Sequence, residues 1–164
     1  MTMNHSPSSV SVECVLQSAA DIDVTMRHVT LFVNVLFRNT GHQAIEHPRI
    51  VIAVSPERAC EISGKILSPQ LIHTLAVYVK GGRQSGWKFT DDNWFRSGKA
   101  SGEYNIESIE PLTLSPGGGW TEMKDLQIVC DMDKLTKPLT VNAFILAQEI
   151  SFTALNSICI SMSI

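Results

Sequence analysis

From Val29 to Phe37 every odd-numbered residue is apolar (Val29, Leu31, Val33, Val35, Phe37), while the even positions Thr30, Phe32, Asn34, Leu36 and Arg38 are mixed. Side chains alternate across a strand, so this period of two predicts a central strand with one fully buried face. Burying such a side chain contributes about 1.5–3 kcal/mol, so the five together supply on the order of 7–15 kcal/mol before chain entropy is set against them. Phe32 and Leu36 interrupt the polar face. Scattered surface apolars are common enough to account for them; a covering segment, subunit or ligand is the alternative.

The same pattern places the other elements. Residues 1–9 are polar and expected to be a disordered tail, followed by one domain over residues 10–164. Val10 to Leu16 alternates as a first strand with Val10, Val12, Cys14 and Leu16 on one face, and the polar stretch Ser18 to Asp23 reads as a connection into the central strand, which begins as early as Val24. Asn39-Thr40-Gly41-His42 is turn chemistry. Pro48 opens the β-branched run Arg49 to Val54, stopped by Ser55-Pro56, and Cys60 to Ile66 suits a short edge strand. Residues 68–82 carry helix brackets (Ser68-Pro69, Lys80-Gly81-Gly82), but Leu75 to Val79 is β-branched and aromatic, which favours a strand. Later strands are expected over Tyr104 to Leu114, interrupted at Pro111, over Glu122 to Cys130, within Leu139 to Phe152, and from Ile158 to Ile164.

Seven to nine strands with few helix signals and no αβ alternation predict an all-β fold, an antiparallel two-sheet β-sandwich. The strand end Phe37-Arg38-Asn39-Thr40-Gly41 and the turn Leu112-Thr113-Leu114-Ser115-Pro116-Gly117 resemble those of bacterial immunoglobulin-like sandwich modules. That resemblance implies an immunoglobulin-like topology and a non-catalytic binding or spacer role.

Composition narrows the functions. The chain has 164 residues, 44% hydrophobic and 18% charged, with a net charge of −3. No segment concentrates Lys and Arg, so nucleic acid is not an expected partner. The first nine residues lack the layout of a signal peptide, and no apolar run approaches the ~20 residues of a membrane helix, so a cytoplasmic location is expected. The cysteines at 14, 60, 130 and 159 are spread singly, and in a reducing compartment they read as small buried apolar residues.

Catalytic motifs are weak throughout. No Gly-x-Ser-x-Gly elbow occurs, Gly98-Lys99 lacks the upstream glycine of a phosphate loop, and Gly117-Gly118-Gly119 opens a strand rather than a helix. The histidines at 5, 28, 42, 47 and 73 do not show zinc-ligand spacing. Asp21-x-Asp23, Asp91-Asp92 and Asp131-x-Asp133 fall in expected loops, as calcium ligands do, but an immunoglobulin-like topology places the first and last pairs at opposite ends. No cofactor or metal is expected, and the chain is read as a non-enzyme.

One segment differs in composition. Between Arg83 and Glu110 lie Trp87, Phe89, Trp94, Phe95 and Tyr104, interleaved with charges and glycines, with a helical turn at Asp91 to Arg96 capped by Asp91 or Asp92. As an aromatic-rich insertion it offers Trp87, Trp94, Phe95 and Tyr104 as contacts for a protein or a sugar. The competing reading is that these rings pack down on the sheet face bearing Phe32 and Leu36, since so many exposed rings invite aggregation. The expectation is a protein-interaction or assembly module, acting through a protein partner or by self-association along an edge strand or the 83–104 segment. Carbohydrate or calcium binding is the alternative.

Overall fold

The computed structural model describes residues 9–69, 77–79 and 83–162. In chain order the strands are β1 (Val12–Asp23), β2 (His28–Asn39), β3 (Ile45–Glu46), β4 (Arg49–Ser55), β5 (Cys60–Gly64), β6 (Ile66–Leu67), β7 (Val77–Val79), β8 (Arg83–Ser85) and β9 (Trp87–Phe89). Helix α1 (Trp94–Ser101) follows, then β10 (Glu103–Ser108), β11 (Thr113–Leu114), β12 (Thr121–Asp131), β13 (Leu139–Ala147), β14 (Ile150–Thr153) and β15 (Ile158–Ile160). Among the described residues the fold is all-β apart from α1 and short 3₁₀ turns. Among the described residues no helix is long and apolar enough to cross a membrane.

Two sheets share one apolar core. The first has the order β1-β2-β12-β5, and the second β14-β13-β4-β10-β9-β6, with β15 also paired to β13. The odd face of β2 (Val29 to Phe37) is fully buried between them, as its alternation predicts, and meets Ile50, Ile52, Tyr104, Ile106, Val141 and Ile145 of the second sheet within one core cluster. Among the described residues every pairing in the two sheets is antiparallel except β6 with β9, which is parallel.

Local chemistry fixes the ends. After β2, Asn39 is buried: its Nδ2 donates to the carbonyls of Gln43 (2.7 Å) and Leu114 (2.9 Å), and its Oδ1 accepts from the Gly41 N–H (2.9 Å). One side chain thus ties the turn to β11. The β13–β14 hairpin turns on Gln148 and Glu149, both at positive φ (49° and 67°), the two-residue geometry whose twist suits a hairpin.

Several expectations change. Ser18 to Asp23 is not a connection: β1 continues through it, paired residue for residue with β2 from Val12↔Asn39 to Asp23↔His28. The central strand starts at His28, and Val24 to Arg27 form the hairpin turn. The helix begins later than expected, with Asn93 rather than Asp91 or Asp92 at its N-cap and no side-chain capping bond there. Cys159 is exposed, unlike the other three cysteines. Of the 68–82 segment, Val77–Val79 pairs with Arg83–Ser85 as a strand, and residues 70–76 and 80–82 lie outside the described residues. The expected tail also lies outside them save Ser9, whose carbonyl accepts from His42 and Gln43.

The opposite-ends placement of the aspartates is overturned, because the Asp131–Asp133 connection leaves β12, the neighbour of β2, and leads into β13 rather than into the last strand. His28 pairs with both Asp23 and Asp131, so the β1–β2 turn and the end of β12 lie together, and Arg27 Nε donates to Asp133 Oδ1 at 2.6 Å. These carboxylates cap and anchor a turn. Among the described residues no group of three or more His, Cys, Asp or Glu is placed to hold a metal ion.

Candidate interaction surface

The predicted aromatic contacts are mostly turned inward. Tyr104 lies on β10 and is only 2% exposed. Trp94 stacks on Phe89 with ring centroids 3.8 Å apart and planes nearly parallel, and donates from Nε1 to Ser68 Oγ at 3.1 Å. Trp87 is half-buried, edge-on to Phe37. Phe95 alone of the four is well exposed, at 49%, with its ring against the edge of Trp94. The segment therefore builds β9, α1 and β10 of the second sheet and packs toward the odd face of β2. It does not cover Phe32 and Leu36, as the packed-down reading supposed. Gly98 makes this packing fit, because a Cβ there would lie 2.1 Å from the Tyr104 ring.

On the outer face of β2, Leu36 is half-buried and its neighbour Arg38 is dressed by Glu13 (2.6 Å) and by Trp120, whose ring the guanidinium covers at 4.4 Å. Phe32 stays 43% exposed. It borders a shallow hollow of about 270 Å³ lined by Gln17, Ala19, Asn34 and Asp125.

That hollow adjoins the least finished part of the molecule, the outer half of β1. Its burial alternates through Leu16 and then stops: all seven residues from Gln17 to Asp23 are exposed. Among the described residues the outer edge is closed only at its start, where Leu155 N–H donates to the Cys14 carbonyl (2.8 Å) and the Asn156 amide clamps both N–H and C=O of Leu16 (2.8 Å each). Those contacts also fix direction. Backbone groups of alternate residues in an antiparallel strand point to opposite sides, so Ser18, Ala20 and Ile22 aim theirs outward, as Cys14 and Leu16 do. Odd residues aim theirs at β2.

The tip beyond this edge is apolar and hydrogen-bonded at both ends of its turn. Ile22, Val24 and Met26 are 49%, 72% and 64% exposed. Met26 N–H donates to Asp23 Oδ1 (2.9 Å), Arg27 adopts φ 55°, and its carbonyl accepts from Met132 N–H (2.9 Å). Leu155, 68% exposed, sits at the other end of the same edge. Large apolar side chains held in water by an anchored turn are the usual mark of a contact surface.

Two further features escape a sequence reading because the fold assembles them. Arg58, Lys134 and Lys137 surround a hollow of about 550 Å³, with Glu57 on the same rim. Cys60 and Cys130 face each other across β5 and β12 with their sulfurs 2.7 Å apart.

No family model matches the chain, and no curated protein matches it. Among solved structures, the FixG-related protein from Vibrio parahaemolyticus is similar at a TM-score of 0.35 and 11% identity, covering 91% of this chain and 97% of that one.

Proposed function

We propose that this chain is a non-catalytic assembly module that pairs with a second copy of itself along the free edge of β1, in an immunoglobulin-like sandwich. The strand orders support the topology: β1-β2-β12-β5 and β14-β13-β4 correspond to the A-B-E-D and G-F-C sheets of that fold. The departure lies in β10, β9 and β6, which extend the second sheet beyond β4.

The observation that carries the assembly reading is the length and placement of the unpaired edge. It runs from Gln17 to Asp23, and its midpoint is Ala20. A two-fold axis beside Ala20 pairs the seven residues with the same seven of the copy: Ala20 faces Ala20, Ser18 faces Ile22, and Asp23 faces Gln17. The outward backbone groups of 18, 20 and 22 then meet outward groups, as a ladder requires. The small side chains of Ser18, Ala19 and Ala20 leave the edge open to approach. Past the paired stretch the copy's Val24 and Met26 arrive beside the lane occupied by Leu155, so three of the most exposed apolar side chains cover one another. Exposed edges are ordinarily guarded; here the guard is Asp21 and Asp23 alone, and this register keeps each carboxylate opposite a neutral residue.

Sedimentation velocity over a wide concentration range tests the reading. The wild type should pass from 18.1 kDa to twice that mass, whereas Ala20→Pro, which removes an outward N–H and leaves the β1–β2 ladder intact, should stay monomeric with a near-native melting temperature. A wild type that is monomeric throughout, or a proline variant that dimerises as well, overturns it.

A further inference from the structure

We propose that Cys60 and Cys130 form a thiol pair built to close as a cross-strand disulfide, with a small-molecule disulfide such as oxidised glutathione as the electron acceptor. The register comes first. Cys60 on β5 is the direct partner of Cys130 on β12, and directly opposed residues of antiparallel strands have Cα atoms about 4.5 or 5.5 Å apart, both within the span a disulfide bridges. The two side chains lie on the same face, fully buried, with sulfurs 2.7 Å apart. The two sulfurs already face each other across the strand pair.

The surroundings give the two thiols different tasks. The hydrogen bond with Cys130 lowers the Cys60 thiol from its ordinary value against the opposing effect of burial, and Lys99 adds to the lowering. Cys130 is raised, first because its proton is held in that same bond and then by burial. Cys60, on the edge strand β5 and with Lys99 nearby, is the attacking thiolate. It displaces one glutathione thiolate and forms a mixed disulfide; Cys130 then loses its proton, attacks the Cys60 sulfur and releases the second glutathione. The protein loses two protons and two electrons, and one disulfide becomes two thiols. β5 is the edge strand of its sheet, and its undocking gives glutathione access to a pair that is closed to solvent in the native fold.

The test uses the full chain with Cys159→Ser, which removes the exposed thiol. Reduced, denatured protein is refolded in a glutathione redox buffer, then denatured and alkylated, and the thiols are counted by intact mass. The expected count falls from three to one, with Cys60 and Cys130 peptides joined in the digest. Adding Cys130→Ser should leave no internal bridge. Three alkylated thiols in protein that has regained its β circular dichroism would overturn the proposal, as would a bridge through Cys14. Where refolding fails, native protein is treated with a pyridyl disulfide. Release of two pyridinethiones with no adduct retained at Cys60 or Cys130 supports the pair, and a stable adduct or no reaction overturns it.

Discussion

Asn39→Ala removes a side chain that is 2% exposed and makes three hydrogen bonds of 2.7–2.9 Å. Each bond has a net worth of about 1 kcal/mol, and burying the Leu114 carbonyl without its donor adds more, so the loss should be about 3–5 kcal/mol. Asn39→Asp is the sharper probe because it keeps the shape. Its carboxylate still accepts from Gly41 but aims negative oxygen at two carbonyls, so at neutral pH it should cost at least as much as alanine. Burial beside those carbonyls raises the pKa of the new carboxyl in the folded state. A raised folded pKa contributes stability below the unfolded value and loses it as pH rises through the folded one. Asn39→Asp should therefore recover toward wild type on mild acidification, as its protonated oxygen regains a donor, whereas Asn39→Ala should not. Urea unfolding of the three proteins at neutral and mildly acidic pH measures this, with ΔΔG taken from the midpoints at constant m. An aspartate variant as stable as wild type at neutral pH, or one that loses ground to it on acidification, would refute the reasoning.

Three other outcomes follow from the same geometry. Gly98→Ala should destabilise by about 1–3 kcal/mol in chemical denaturation despite the better helix propensity of alanine, because the new methyl overpacks the Tyr104 ring. In the alkaline range, burial raises the Cys14 thiol from 9.0 to about 11, so its contribution is fully present below pH 9 and lost as pH rises toward 11, about 2–3 kcal/mol in all. Cys14→Ala should flatten the fall in stability over that interval, and an unchanged slope would contradict the assignment. Added salt should strengthen self-association, because a two-fold at Ala20 makes the two Asp21 residues diagonal neighbours, about 7–8 Å apart along the ladder; sedimentation at low and high ionic strength reads the effect.

What the sequence disclosed depended on whether an element has one buried face. β2 and β13 alternate cleanly and are legible, as are the Asn39 turn and the all-β class. The outer half of β1 was missed for the same reason that makes it interesting: a strand exposed on both faces has no period to detect, so Ser18 to Asp23 looks like a polar loop. The aromatic segment stood out by composition, yet Tyr104, Ile106 and Ser108 already alternate, and that spacing marks Tyr104 as inward. Gln148-Glu149 carries none of the glycine or asparagine that announces its turn. The meeting of Cys60 with Cys130, and of Arg27 with Asp133, depends on strand order, which spacing along the chain does not encode.

The assembly reading is tested most directly by single cysteines placed along β1 in a Cys159→Ser background. In the proposed register only residue 20 faces its own copy, at a Cα separation a disulfide spans. Ala20→Cys should therefore form a covalent dimer rapidly under mild oxidation, while Ser18→Cys and Ile22→Cys, each facing the other's position, should do so slowly alone and readily when mixed. Equal, slow cross-linking at all three positions, or faster self-linking at 18 or 22, would contradict edge pairing at Ala20.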